Sequence, residues 1–136
     1  MSTLYLLDTN MVIYMQKGVP SVVQRLAAVG KAHIALPSLV LAELAYGVQK
    51  SLYPQENRRV LEQFLQRITV LPWSENAMWH YAHHYHALKS SGRMIGQNDL
   101  LIACQALAED AILVTHNTRE FERIEGLKLE NWAQSA

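Results

Sequence analysis

Short apolar runs alternate along the chain with longer segments in which apolar residues recur at helical spacing. Each short run has the length of a strand and ends at a polar residue or a proline. Gly30 and Gly92 mark the ends of two of the helical segments. Strands are predicted at 4–7, 33–37, 68–72 and 111–115, with a further edge strand at 127–129. Helices are predicted from residue 11 to near residue 18, at 21–29, 39–49 and 54–65, from residue 75 up to 90–92, and at 99–109 and 119–121.

This alternation predicts an α/β fold with a mainly parallel sheet of four or five strands. Parallel strands need long crossover connections, and helices between strands supply them. The 136 residues are enough for one domain with a real core and too few for two. No linker, repeat or low-complexity segment interrupts the pattern. We therefore expect a single domain over residues 1–136.

Composition narrows the class of protein. Half of the residues are hydrophobic and 18% are charged, which is typical of a globular chain. Twelve basic and twelve acidic residues cancel, so a nucleic-acid partner would need a local basic patch or bound cations. The single cysteine, Cys104, excludes a disulfide within the chain and suits a reducing compartment. Because no apolar run approaches the ~20 residues of a membrane span, we expect a cytoplasmic protein.

Four carboxylates from distant parts of the chain fall where predicted strands and helices meet. Asp8 closes the first strand, Glu43 lies early in the helix after the second strand, and Asp99 opens the helix that leads into the fourth. Glu120 lies just past the end of the fourth strand. If the strand order reverses beside the first strand, the loops after strands one and four flank a crevice where open α/β sheets bind ligands. All four carboxylates can then point into one cavity.

Carboxylates crowded into one cavity repel one another, and a bound cation relieves that repulsion. An all-oxygen set without paired cysteines or a fixed histidine motif favours Mg²⁺ or Mn²⁺ over zinc. Asn10, Thr115 and Asn117 lie beside the carboxylates in the sequence. Their side chains can hydrogen-bond a carboxylate or a bound water, or they can be only strand-end and cap residues.

The acidic residues also have purely structural alternatives. Asp8 and Asn10 can serve only to end the strand and cap the next helix, and Asp99 can be a favourable charge at a helix N-terminus. Glu120 can pair with neighbouring arginines on a solvated face. Glu43 can be an ordinary helix acid, although its neighbours are almost all apolar.

Two further groups of side chains are candidates for function. Four histidines share one predicted helix, but no acidic ligand motif accompanies them, so a packing or solvent-facing role is favoured over a metal site. Among the basic residues, Arg93 and Arg119 can contact phosphates, with a solvated surface as the alternative. The histidines are His80, His83, His84 and His86.

At four places the chain resembles PIN-domain proteins, and specifically the VapC toxins of bacterial type II toxin–antitoxin modules. The matching segments occur in the family's order and span nearly the whole chain. Each is weak by itself, and together they make the resemblance strong. They are LLDTN at 6–10, SLVLAELAYG at 38–47, NDLLIA at 98–103 and LVTHNTREF at 113–121.

The resemblance implies a three-layer α/β/α PIN-like domain and a metal-dependent endoribonuclease whose central acidic residues are Asp8, Glu43 and Asp99. Many members of the family carry an aspartate after the threonine of the fourth strand, near the place where this chain has Asn117. An amide adds no negative charge, so Glu120 is the candidate for the missing carboxylate. We expect Asp8 and Asp99 to hold the main ion directly, and Glu43 to bind it through water or to share a second ion.

The resemblance also implies partners. VapC-like enzymes cut tRNA or ribosomal RNA at defined sites, which makes tRNA, and initiator tRNA first, the expected substrate. A folded RNA also suits a protein of zero net charge, because recognition of its shape adds to charge-based binding. The family further implies a homodimer and a VapB-type antitoxin whose tail blocks the acidic site.

Two other functions fit parts of the sequence. A phosphatase with an aspartyl nucleophile would need a second acid two residues after Asp8, and Asn10 occupies that position. A non-catalytic module that binds RNA or a partner, and represses transcription together with an antitoxin, would not need the acids for catalysis. Incubation with total RNA, in Mg²⁺ or in EDTA, distinguishes such a module from a nuclease.

Overall fold

The computed structural model describes residues 3–134, in which helices connect the strands of one sheet. Two short 3₁₀ turns, Lys31–His33 and Glu75–Ala77, precede the second strand and the fifth helix. The strands are β1 (Tyr5–Leu7), β2 (Ile34–Pro37), β3 (Thr69–Leu71), β4 (Ile112–Val114) and β5 (Lys128–Glu130). The helices are α1 (Thr9–Gln16), α2 (Pro20–Val29), α3 (Ser38–Gln49), α4 (Pro54–Leu65), α5 (Met78–Ser91), α6 (Gln97–Ala108) and α7 (Thr118–Phe121).

The sheet has the order β3-β2-β1-β4-β5, and all of its strand pairs are parallel. The expected parallel sheet is thus confirmed, with five strands. The order reverses between β1 and β4, which creates a crevice beyond the carboxyl ends of these strands. Leu7 of β1 pairs with Val114 of β4. Asp8 and Thr115, the residues that follow, therefore leave the sheet side by side.

The core lies between the sheet and the helices that cover it. All four residues of β2 are buried, as expected for an inner strand covered on both faces, whereas β3 and β5 at the edges are partly exposed. Leu6 and Leu113 of the central strands and Leu100 and Ile102 of α6 are fully buried. The helices flank the sheet to give the three-layer α/β/α arrangement that we predicted.

Three helices start two or more residues away from their predicted positions. α1 begins at Thr9, because the Thr9 amide donates a hydrogen bond of 2.8 Å to Asp8 Oδ1 and Asp8 becomes the cap. α6 begins at Gln97, so Asp99 lies inside its first turn instead of opening it. The helix predicted from residue 75 begins as a 3₁₀ turn, and α5 starts at Met78. α5 ends at Gly92 as predicted, where φ is 68°.

None of the helices within residues 3–134 combines the length and the apolar character that crossing a membrane requires.

Candidate active site

The four predicted carboxylates are carried by separate elements around the crevice between β1 and β4. Asp8 follows β1, Glu43 lies in the second turn of α3, Asp99 lies in the first turn of α6, and Glu120 lies in α7. Each of them shifts the pKa of at least one other. The Asp8 carboxylate raises the pKa of Glu43, and the carboxylates of Asp8, Glu120 and Glu43 raise that of Asp99. The fold therefore brings all four into one electrostatic cluster.

Asp8 is the most enclosed of the four and is held at both oxygens. It is 5% exposed, its Oδ2 accepts a hydrogen bond of 2.8 Å from Thr115 Oγ1, and its Oδ1 accepts the Thr9 amide. Burial raises the pKa of Asp8, and these two hydrogen bonds partly offset that effect. The Thr115 hydroxyl also accepts the Asn117 amide at 3.0 Å. Thr115 thus fixes both the rotamer of the Asp8 carboxylate and the start of the loop that follows β4.

Asp99 and Glu120 lie close enough for each to shift the pKa of the other. Burial, followed by the charges of Asp8 and Glu120, raises the pKa of Asp99 to about 7. The Gly96 amide donates to Glu120 Oε1 at 2.8 Å and Asn117 Nδ2 donates to Oε2 at 2.6 Å. The Gly96 bond is the main reason that the pKa of Glu120 lies below its usual range. Proximity to Glu120 raises the pKa of Asp99 and proximity to Asp99 lowers that of Glu120, so Asp99 is the carboxyl of the two that takes up a proton first.

Glu43 presents a carboxylate oxygen that the protein does not satisfy. Its Oε1 and the Thr9 hydroxyl are both buried, and neither has a hydrogen-bond partner of good geometry. Burial, and then the charge of Asp8, raises the pKa of Glu43, and the nearby Thr9 hydroxyl offsets part of this rise. A buried carboxylate oxygen without a donor is costly. A cation bound beside Asp8 would satisfy this oxygen.

The donor set fits a hard divalent cation. Asp8, Glu43 and Asp99 offer only oxygen atoms, and the cysteine of the chain is buried elsewhere in α6. Within residues 3–134, no three His, Cys, Asp or Glu side chains are gathered closely enough to ligate one ion in their present rotamers. Asp8 is turned toward Thr115, and Asp99 toward Glu120. Ion binding would therefore need loss of the Asp99 proton and a small rearrangement of these side chains.

The asparagines beside the acids hold the loop between β4 and α7. Asn10 Oδ1 accepts the His116 amide at 3.2 Å, and the Asn117 side chain donates to Glu120. Asn117 precedes α7 without capping it through its side chain, and Asn10 lies inside α1, whose cap is Asp8. Both amides thus position other groups of the site.

Close ion pairs lie away from the acidic cluster. Among residues 3–134, they join Arg25 to Glu130, Arg58 to Glu62 and Lys128 to Asp110. Glu120 thus forms no close ion pair with an arginine, although the positive charge of Arg123 contributes to its lowered pKa. The nearby Arg123 donates instead to the carbonyl oxygens of Met94 at 3.0 Å and Arg93 at 3.4 Å.

Other candidates from the sequence lie outside the cluster. Arg93 and Arg119 are both exposed, so they are available to phosphates without a fixed geometry. Of the four histidines, His84 is buried in α5, where its ring packs edge-on against His83 at 4.9 Å. Burial lowers the pKa of His84, as expected for a packing role.

Gly96 contributes to the site but was not among the residues predicted from the sequence. Its amide holds Glu120, and a Cβ at this position would lie 3.4 Å from Asp99 Oδ2 and 3.7 Å from Glu120 Oε1. A glycine three residues before a candidate aspartate was the available signal, although a Cβ here would meet both carboxylates only at ordinary van der Waals distances.

Comparisons with known proteins agree with this geometry. The PIN domain family model matches residues 5–127. The chain is 41% identical to "Ribonuclease VapC2" of Haemophilus influenzae over 94% of its length and 97% of the relative's, and 38% identical to the "tRNA(fMet)-specific endonuclease VapC" of Shigella flexneri over 95% and 98%. It superposes on a chain of the crystal structure of VapBC2 from Rickettsia felis, bound to a DNA fragment from their promoter, with a TM-score of 0.89, 42% identity and coverage of 96% and 99%. The chain belongs to the PIN-domain family and, within it, to the VapC ribonucleases.

Proposed function

We propose that this protein is an Mg²⁺-dependent endoribonuclease, able to use Mn²⁺, that hydrolyses phosphodiester bonds in tRNA as the toxin of a toxin–antitoxin pair. The observation that carries the proposal is the convergence of Asp8, Glu43, Asp99 and Glu120 on the crevice between β1 and β4. The unsatisfied Oε1 of Glu43 supports a cation at this place. The all-oxygen donor set favours Mg²⁺ or Mn²⁺.

The side chains divide the work around the ion. When bound, a divalent cation lowers the pKa of a ligated water and neutralises charge on the phosphate. Asp8 and Asp99 would hold it directly, and Glu43 would bind it through water or share a second ion. Thr115 keeps Asp8 in its rotamer. Glu120, fixed by two donors, keeps a negative charge beside Asp99.

The RNA is held by few charges. Net charge is zero, so long-range attraction contributes little and local contacts must supply the affinity. Arg93 and Arg119 are exposed, and Arg119 directly precedes Glu120. We assign both to contacts with phosphates that flank the scissile bond. Such contacts orient the backbone without reading the sequence.

Initiator tRNA is the first candidate substrate. The support is similarity to the Shigella flexneri relative, which is named as a tRNA(fMet)-specific endonuclease and which this chain matches over 95% of its length. A folded RNA also offers shape as a recognition feature, which compensates for the weak electrostatic attraction of a neutral protein.

We further propose that the protein works as a homodimer bound by a VapB-type antitoxin whose tail blocks the acidic site. The Rickettsia felis chain comes from a VapBC complex. Apolar side chains are available for partners on two parts of the surface. Leu52 before α4 and Val60 on α4 are 83% and 51% exposed, and Trp79 on α5 is 75% exposed.

Cleavage of total RNA by the purified protein tests the proposal. We expect discrete fragments in Mg²⁺, none in EDTA, and cut sites that map to initiator tRNA. Asp8→Asn should abolish cleavage, whereas the matched control Asp110→Asn should not, because Asp110 is exposed and pairs only with Lys128. Cleavage that persists in EDTA or in folded Asp8→Asn would refute the proposal.

A second function has one observation in its favour. The Rickettsia felis complex was solved on a DNA fragment from its own promoter, so this chain can act with its antitoxin as a transcriptional repressor. The two functions are compatible. Total RNA left intact in Mg²⁺, together with a gel shift of promoter DNA by the complex, would leave repression as the function.

A further inference from the structure

His116 lies in the loop between β4 and α7, between the two residues that organise the acidic site. On one side Thr115 holds Asp8, and on the other Asn117 holds Glu120. The His116 amide donates to Asn10 Oδ1 at 3.2 Å. The backbone of this residue is thus fixed at the edge of the crevice, while the residue itself is exposed.

The His116 ring is held by two neighbours that leave it open to solvent. Tyr14 meets it edge to face, with ring centroids 5.8 Å apart and an interplanar angle of 84°. Asn131 Nδ2 lies 3.4 Å from His116 Nδ1. No carboxylate within residues 3–134 forms an ion pair with this ring. Apart from these contacts with Tyr14 and Asn131, the imidazole is an exposed aromatic surface.

We propose that the His116 ring stacks against an unpaired base next to the scissile phosphate. The inference rests on the proposed ribonuclease function and deepens it. Aromatic rings, histidine among them, bind bases that are splayed out of a loop or an end, because every base offers a flat face. A base inside a duplex is already stacked and is not available. The substrate class is thus RNA with an unpaired nucleotide at the cut, such as a tRNA loop.

The location of the ring decides which part of the RNA it contacts. Its two chain neighbours donate hydrogen bonds to Asp8 and Glu120. A base on the His116 ring therefore belongs to a nucleotide adjacent to the reacting phosphate. In this role the ring binds substrate and takes no part in proton transfer. Removal of the ring should therefore weaken substrate binding and leave the chemical step unchanged.

Three variants test the proposal: His116→Ala, His116→Phe and, as a matched control, His86→Ala, which removes another exposed histidine, on α5. The substrate is an initiator tRNA transcript with Mg²⁺, and binding of the same transcript is measured separately in EDTA. We expect His116→Ala to raise KM and Kd on the order of fivefold to tenfold, the low end for an aromatic ring that stacks on one base. His116→Phe should restore both constants, and His86→Ala should match the wild type. kcat and its pH profile should be unchanged in all three.

Two results would overturn the inference. One is equal KM and Kd in wild type and His116→Ala. The other is loss of kcat in both His116→Ala and His116→Phe, which would show that the imidazole acts in the chemistry. If the wild type cleaves RNA and His116→Ala behaves like it, the inference alone fails. If the wild type cleaves no RNA in Mg²⁺, the proposed function fails and the inference fails with it.

Discussion

Replacing Asp99 with asparagine removes one of the crowded carboxylates and keeps a side chain of the same shape. The amide of the new side chain lies beside Glu120 and can donate a hydrogen bond to it, as a protonated Asp99 can. In the metal-free protein, Asp99→Asn therefore relieves repulsion without opening a cavity. We expect it to stabilise the fold above neutral pH, which is unusual for a substitution in a candidate active site.

The magnitude follows from the pKa of Asp99. A value of about 7 in place of 3.8 corresponds to about 4 kcal/mol at 1.36 kcal/mol per pKa unit. Solvent reaches this half-buried carboxyl and screens the interaction, which leaves about 1–2 kcal/mol. The folded protein binds the Asp99 proton more tightly than the unfolded chain does. The stability that this proton contributes is therefore fully present below the pKa of Asp99 in the unfolded chain and is lost as pH rises toward 7. The wild type should lose it over that range, and Asp99→Asn should not.

Urea unfolding in EDTA at about pH 4 and about pH 8 measures this difference. Asp99→Asn should exceed the wild type by about 1–2 kcal/mol at the higher pH and by much less at the lower one. Asp110→Asn, which changes an exposed aspartate, should match the wild type within about 0.5 kcal/mol at both. A lower free energy of unfolding for Asp99→Asn than for wild type at the higher pH would refute the reasoning.

A substitution at Thr115 and labelling of Cys104 test the site and the core separately. Thr115→Val removes the hydrogen bond to Asp8 Oδ2 while keeping the buried shape. It should lower cleavage activity on the order of tenfold to a hundredfold, because partners that orient a metal ligand have effects of this size. Unchanged kcat/KM on tRNA would contradict that role. Cys104 is fully buried and burial raises its pKa to about 12, so a thiol reagent should label it only after denaturation; rapid labelling of the native protein would show that α6 is packed differently.

The strands could be predicted because each depends on a local pattern, and the positions of the acidic residues follow from where the strands end. The run before Asp8 has strand length, and Asp8 itself ends it. Parallel strands place their carboxyl ends at one edge of the sheet, so residues at those ends meet whatever their separation in sequence. This explains why Asp8 and Glu120 could be expected in one crevice.

The detailed chemistry of the site could not be predicted from the sequence, because it depends on contacts between distant residues. Glu120 takes its charge state from the amide of Gly96, which lies on a different segment of the chain. The pKa of Asp99 is raised first by burial and then by the charges of Asp8 and Glu120, which come from other segments. The start of α1 was uncertain for a local reason: the Thr9 amide donates to the side chain of Asp8, which makes Asp8 the cap.

Titration of the metal-free protein with Mn²⁺ by calorimetry tests the central claim most directly, because it asks whether the acidic cluster holds a cation without depending on the RNA. We expect Mn²⁺ to bind saturably to the wild type and to Asp110→Asn, and not to Asp8→Asn. Absence of binding to the wild type, or binding of equal strength to folded Asp8→Asn, would contradict it.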